Sequence, residues 1–542
     1  MRQAHRPSRF LALVATAVAS ALLAACGAAP GINAPADVAN RVRTINPYGG
    51  DPAQEGAPKD GGTLLLGMDR EIVSFDPTVQ NANQAASAIY DYLLKLGPKG
   101  EIEPYIARSM DTSDGGLTWR MALTPGVRFS DGTPFDAEAV ITNTQRHIDK
   151  VSSPAHQLTE RIESMRAVDP TTVEFRLTEP TGDFASGFAQ PFSTGSLAFV
   201  VSPAALAKYG DDIGKHPVGA GPFTFVDWVR DNRLVMAKNP DYWQQGLPHL
   251  DGLEFRPLPD TESRWASIVN GDVDVVFGGY IVELSRAMAD PNLTTYYATA
   301  NGAEWVYFNF ARPPFDDHRM REAVIRAINV NALSVSQYDN QLQPAKSVFG
   351  DDSPYHDPAA SDAWPAFDPE RAKQLVDEYR ASGGNPDFTF KTSNAPNRVA
   401  FGEFIQAQMA AIGINVQLQF YDLAQFSSAV VQSNDFQLTS WVGGPWESPY
   451  PAVHRLFRTD GPGNYGKYSN PRMDELLDQA LNAADPAERA RIYQQVDLLA
   501  NQDLVLGWYS RGYLSTIAKP DVKGIVRYVS RDMFYATVWL DR

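Results

Sequence analysis

Several stretches of this 542-residue chain start like reactive or metal-binding motifs and break at the position that would make them work. Gly461-Pro-Gly-Asn-Tyr-Gly466-Lys467 has the spacing of a phosphate-cradling loop, but Tyr468 stands where a Ser or Thr hydroxyl must hold magnesium, and Asn470-Pro471 starts the next helix too late. Asp272-Val-Asp274 opens like a calcium loop, yet Val276 and Phe277 occupy positions that need an oxygen ligand and a glycine, so the stretch is expected to end a strand. The eight histidines never form H-E-x-x-H or a close H-x-H, and no G-x-S-x-G elbow occurs. No catalytic residue, metal or cofactor is expected. What remains suits holding a molecule: Ser440-Trp441-Val442-Gly443-Gly444-Pro445-Trp446-Glu447-Ser448-Pro449-Tyr450 gathers three aromatic faces around one carboxylate. Such faces take a sugar, an apolar group or a cation. The same aromatics could equally be strand cores, with Glu447 a solvated loop carboxylate.

The only cysteine, Cys26, offers chemistry of another kind. Arg2, Arg6 and Arg9 precede an uncharged run from Phe10 to Ala25, the order of an export signal. That run is shorter than the about 20 apolar residues a membrane-spanning helix needs. Residues 1–25 are therefore expected to be a signal peptide. Leu23-Ala24-Ala25-Cys26-Gly27 resembles the lipobox of bacterial lipoproteins, which implies that the Cys26 thiol receives a diacylglycerol and becomes the mature N-terminus. Without a second cysteine no intramolecular disulfide can form. From there to Gly61 the chain is rich in Ala, Pro, Asn and Gly and lacks apolar periodicity, so residues 26–61 are expected to be a flexible, lipid-anchored tether.

The remaining chain, about 480 residues, is too long for one core and calls for two or three domains. A formal charge of −17 argues against nucleic acid or an anionic membrane surface as partner. Strand-like runs at Thr63–Gly67, Leu117–Leu123, Thr172–Leu177, Phe223–Val229, Arg233–Ala237, Glu304–Phe310, Asp387–Lys391 and Asn415–Phe420 alternate with amphipathic helices, an α/β pattern. Phe223–Val229 and Arg233–Ala237 read as a hairpin. Asp368-Pro369, Asn470-Pro471 and Asp485-Pro486 are N-cap signals, each followed by an apolar stripe at helical spacing.

Read in order, the body resembles the extracytoplasmic solute-binding protein family 5, the peptide- and nickel-receptor class of ABC importers. The blocks that carry the resemblance are Gly61-Gly62-Thr63-Leu64 with Ser74-Phe75-Asp76-Pro77, then Asp114 to Trp119 running through Leu123-Thr-Pro-Gly-Val-Arg-Phe-Ser-Asp-Gly-Thr-Pro134 to Val140. Gly219-Ala-Gly-Pro-Phe223, Asn239-Pro-Asp-Tyr-Trp243 and Gly271-Asp-Val-Asp274 follow, and then Phe308-Asn-Phe310, Pro314-Phe-Asp-Asp317, Arg321 to Asn329, Phe367 to Ala372, Ile412-Gly-Ile414 and Tyr468-Ser-Asn-Pro471. Each block is weak alone; their order is what makes the match.

The resemblance implies a two-lobed periplasmic-binding-protein fold (type II, cluster C) with an extra domain inserted in lobe one. It places lobe one at 62–95, 215–305 and 510–542, the insert at 96–214 and lobe two at 306–509. It further implies an extracytoplasmic, membrane-tethered monomer that closes on a peptide or similar-sized solute and delivers it to a permease. In peptide-binding members an aspartate after a Trp-x-Gly stretch holds the ligand's α-ammonium; here Gly444 stands at that position, and Glu447 is the nearest replacement. Trp441, Gly443, Trp446, Asn394, Phe75 and Asp76 are the further candidate ligand contacts. A glycan or a metal chelate as ligand, or an envelope lipoprotein acting through a protein partner, are the alternatives.

Overall fold

The computed structural model describes residues 42–44, 55–79, 83–96, 101–190, 197–278, 281–299, 301–443, 446, 448–527 and 533–542. The expected signal segment, Cys26 and most of the expected tether lie outside them. Among the described residues, strands sort into three larger sheets. The first has eight strands in the order 42–44, 294–299, 513–518, 275–278, 63–68, 252–257, 233–238, 223–229. The second has five, in the order 416–421, 388–393, 438–442, 304–308, 506–510. The third is a four-stranded antiparallel sheet of 107–112, 118–123, 172–177 and 162–169.

Sheet membership passes from the eight-stranded to the five-stranded sheet between Thr299 and Glu304, and back between Ser510 and Tyr513. The four-stranded sheet shares one continuous apolar core with the eight-stranded one, whereas most of the five-stranded sheet's side chains belong to two separate cores. Two bodies thus result, joined by two chain crossings.

Local signals account for the elements. Leu64 and Leu66 are fully buried where Thr63–Met68 pairs in parallel with Gly252–Pro257, and the Phe223–Val229/Arg233–Lys238 hairpin is antiparallel with a bulge after Val235. The Asp368, Asn470 and Asp485 side chains accept hydrogen bonds from the N–H groups of Arg371, Arg472 and Ala487, with proline at each helix's first turn.

Two expectations need correction. Asp272-Val-Asp274 precedes a strand, Val275–Gly278, rather than ending one; the Asp274 carboxylate accepts from Leu65 N–H (3.0 Å) and pairs with Arg542 (2.9 Å), fastening the C-terminus to the central strand. The end of the expected tether is also structured. Val42–Thr44 pairs in parallel with Thr295–Tyr297, Lys59 pairs with Asp541 (2.7 Å), and Gly524 N–H donates to Glu55 (2.6 Å). Paired backbone and these polar contacts offset the ordering entropy that composition alone could not.

Candidate functional site

Strand direction decides which edges of the two main sheets face each other. In the five-stranded sheet Glu304 is register partner of both Val442 and Ser510, and Ser393 of Tyr421, so these residues share the edge from which both crossings leave. In the eight-stranded sheet Thr299 pairs with Tyr513, Gly278 with Ser515 and Pro257 with Met68, which puts the carboxyl ends of the parallel strands on its crossing edge. The ends of parallel strands, where loops diverge, are where α/β proteins open a crevice for ligand. Arg511, on the return crossing, is buried and donates to Gly302 O (3.1 Å) on the outward crossing and to Val348 O (3.0 Å). It locks the crossings together.

On the lobe-two edge, Trp441 is half-buried, with its ring 6.0 Å from that of Phe426, and Asn394 is exposed just past the Phe388–Ser393 strand. Trp446 is instead core: it is buried, with its ring 5.6 Å from Trp305 and 6.5 Å from Trp508. Tyr450 is buried too and donates through its hydroxyl to Gln157 O (3.1 Å) of the insert. Gly443 sits between indoles: a Cβ there would come within 2.4 Å of Trp305 and 2.5 Å of Trp446. Overpacking of this severity costs about 1–3 kcal/mol. Gly443→Ala should therefore lower unfolding free energy in urea by that amount and red-shift tryptophan emission; wild-type stability would show that the indoles yield freely. Gly444 and Glu447 lie outside the described residues.

Phe75 and Asp76, the candidates from lobe one, are fully engaged in structure. The Phe75 ring is buried edge-on against Trp228 at 5.4 Å. Burial opposes the Asp76 charge, but Arg146 at 2.9 Å and the Thr78 N–H overcome it and hold the carboxyl below its ordinary range. This loop is a clamp that ties the end of strand Thr63–Met68 to the helix Ala137–Asp149.

Two polar clusters went unnoticed in the sequence. The first bridges the bodies: Ser448 donates to Asp183 (2.9 Å), Arg489 lies 3.7 Å from the same carboxylate and donates to Gly182 O (3.0 Å), and Gly182 N–H donates to Leu481 O (2.7 Å). Burial raises the Asp183 pKa, with Arg489 opposing. The second stands on the crossing edge. Glu304 accepts from the Tyr338 hydroxyl at 2.7 Å, and the Arg398 guanidinium lies 3.8 Å away, too far for a hydrogen bond. Burial works against the Arg398 charge, but Tyr509, Glu304 and Tyr338 outweigh it and raise the pKa. One signal was available: an arginine in the first turn of a helix, here Pro396–Ala411, opposes the helix dipole and needs another reason to be there.

The family model "Bacterial extracellular solute-binding proteins, family 5 Middle" matches residues 101–464. The chain belongs to this family. Its members are solute-binding receptors, so this family 5 protein binds a solute and does not transform it. The glutathione-binding protein GsiB of Escherichia coli O1:K1 is 30% identical over 460 residues, covering 82% of this chain and 86% of that one. Among solved structures, periplasmic DppA of Helicobacter pylori in complex with the peptide STSA matches with a TM-score of 0.73 at 24% identity, over 89% of this chain and 99% of that one. The dipeptide-binding protein of Pseudoalteromonas sp. SM9913 with Met-Leu matches with a TM-score of 0.74 at 22% identity, over 88% and 100%. The fold is the α/β periplasmic-binding-protein fold of cluster C that the sequence blocks implied. No helix among the described residues is long and apolar enough to cross a membrane.

Proposed function

We propose that the protein captures a peptide or a solute of similar size between its two bodies and delivers it to the permease of an ABC importer, held at the membrane by lipid on Cys26. The observation that carries the reading is the apposition of two sheet edges across paired crossings, with charged and aromatic side chains (Glu304, Arg398, Trp441) on one of them. Closure would follow from contacts available only when ligand fills the gap, so the ligand shifts a population rather than deforming a rigid body. The names of its relatives, glutathione-binding GsiB and the peptide complexes of DppA, support a peptide-like ligand. Gly444 in place of the aspartate of peptide-binding members argues that the ammonium anchor is elsewhere, and Glu447 is the carboxylate assigned to it.

The reading is tested by releasing co-purified molecules by denaturation and titrating wild type with glutathione and a tripeptide pool by calorimetry. Micromolar or tighter binding is expected, and no heat from any peptide would remove the peptide assignment. Cys26→Ser should leave affinity unchanged while moving the protein from the membrane to the soluble fraction, because lipidation supplies membrane residence and no ligand contact. Unchanged membrane association would remove the anchor.

A further inference from the structure

One segment, residues 343–357, grips both crossings between the bodies. On the outward crossing, Gly302 N–H donates to Val348 O (3.3 Å) and Asn301 Oδ1 accepts from Gly350 N–H (2.8 Å). On the return crossing, Arg511 N–H donates to Gln343 O (2.8 Å), and its guanidinium donates to Val348 O (3.0 Å), the Ser347 hydroxyl (3.2 Å) and Phe349 O. Few residues absorb the backbone rotation of a hinge, so whatever fixes this segment bears on how the bodies move.

What fixes it is a buried carboxylate. Asp497, on the helix Pro486–Gln502, has no exposed side-chain surface; its Oδ1 accepts from Val348 N–H (2.9 Å), and its Oδ2 accepts from Asp357 N–H (3.2 Å) and lies 3.0 Å from His356 Nδ1. Val348 is near the start of the segment and His356 and Asp357 are at its end, so one carboxylate gathers both. A charge buried in this way is costly unless hydrogen bonds and an opposite charge accompany it. His356 is placed to be that charge. Its ring, 7% exposed, faces Asp497 through Nδ1 and, through Nε2, the Ser361 hydroxyl at 3.4 Å and the Asp351 carboxylate at 3.8 Å. The hydrogen bond to Asp497, helped by the Asp351 charge, outweighs burial and the repulsion of Arg511 and raises the His356 pKa. His147 and His454, whose rings meet the Ser153 and Tyr493 hydroxyls instead of a carboxylate, are pushed down to about 3 by desolvation. The carboxylate makes the difference.

We propose that His356, acting through Asp497, is a positioning residue of the hinge: charged, it holds segment 343–357 against both crossings and favours the closed, ligand-bound form, and neutral, it lets the crossings turn. This rests on the capture reading above and adds the regulation of that same cleft. When the bodies part, Asn301 and Gly302 turn with the crossing, their bonds to Gly350 and Val348 loosen, water reaches Asp497, and its pull on the imidazole weakens. The closed form therefore holds the proton more tightly than the open one, and the proton stabilises closure in return. That contribution is complete below the ordinary histidine value of 6.5 and is lost as pH rises through the raised value.

Calorimetric titration of the full chain with glutathione and a tripeptide pool, at a series of pH values from mildly acidic to alkaline, tests it through the ratio of affinities of wild type and His356→Gln. Glutamine keeps a donor for Asp497 but cannot titrate, and the titration of the ligand and of groups common to both chains cancels in the ratio. Wild type should bind about tenfold more tightly at the acid end, within the usual range for coupling between separate places in a protein, and equally at the alkaline end. Asp497→Asn, which keeps an acceptor for Val348 N–H, should flatten the profile in the same way. A pair that only supports the fold would change affinity by one factor at every pH, so a constant ratio would overturn the proposal and leave the capture reading in place. If both variants fold poorly, wild type alone decides: with ring-labelled histidine followed by NMR, one imidazole titrating above 6.5 should titrate higher still when the tighter of the two ligands saturates the chain. Imidazoles indifferent to ligand would overturn it equally. No heat from any peptide at any pH would remove the capture reading and its regulation together.

Discussion

Replacing Arg489 by alanine is expected to weaken ligand binding about 100-fold with little change in the unfolding of either body. Arg489 lies on the helix Pro486–Gln502 and is 10% exposed; Asp183, 3.7 Å away and just before the short helical turn Phe184–Phe188, is 7% exposed. Removing one member of a buried pair costs about 3–5 kcal/mol because the other charge is left uncompensated. Asp183 can escape part of that cost by taking a proton, since burial already raises its pKa, which puts the effect at the lower end of the range. Opening the cleft is expected to separate Asp183 from Arg489 and Ser448 and return each to water, so most of the cost should fall on the closed state, the bond from Arg489 to Ala483 O (2.9 Å) being kept in both. About 3 kcal/mol off closure lowers the closed fraction, and with it the apparent affinity, by about two powers of ten.

The pH dependence has a definite sign. With its pKa raised in the closed form, Asp183 contributes closure stability that is present at low pH and lost as pH rises through its closed-form pKa. Without Arg489 that pKa climbs further, so affinity of the variant should recover on acidification more than that of wild type. Calorimetry at several pH values, with small-angle scattering to follow closure, reads both effects. Equal affinity of Arg489→Ala and wild type at neutral pH would show that the contact persists in the open form and plays no part in capture.

Legibility in the sequence follows interaction range. Strand Thr172–Leu177 and the helices begun by Asp368, Asn470 and Asp485 were readable because their causes, alternation and a cap two or three residues ahead, lie within a few positions. The family blocks supplied the fold class in the same way. Asp183 and Ser448 are 265 positions apart, and no local pattern announces that they meet. Trp446 was misleading for a related reason: a tryptophan in a Gly-rich loop reads as a ligand face, but packing against Trp305 and Trp508, distant in sequence, makes it core. Gly443 was noticed as part of a motif, although what requires a glycine there is the two indoles that close over its Cα. Arg398 was passed over because the groups that hold its charge, Tyr509, Glu304 and Tyr338, lie far from it in sequence.

Asp91 carries the other large effect, on stability rather than binding. It caps the end of the short helix Ala86–Tyr90 at φ +61°, is buried, and accepts from the Tyr242 hydroxyl (2.7 Å) and the Trp243 ring N–H (3.1 Å), both in the Asn239-Pro-Asp-Tyr-Trp243 block. Burial pushes its pKa up to about 7, although Tyr242 and Trp243 pull the other way. Between its unfolded value of about 4 and that folded value the native state holds the proton more tightly than the unfolded chain, so stability from this group is full below pH 4 and is lost as pH rises toward 7. Three units correspond to roughly 4 kcal/mol. Buried His147 and His454, both lowered to about 3 chiefly by desolvation, act with the opposite sign, losing stability as pH falls below their unfolded value. They are common to wild type and to Asp91→Asn, and cancel when the two are compared. Asparagine tolerates positive φ and keeps an acceptor for Tyr242 but cannot ionise. Urea unfolding at pH 4, 6 and 8 should therefore show the variant gaining roughly 4 kcal/mol on wild type from the acid to the alkaline end, nearly all of it between pH 4 and about 7. Parallel curves would mean that Asp91 remains ionised in the fold, with its donors Tyr242, Trp243 and the Tyr92 N–H (3.1 Å) outweighing the burial of its charge.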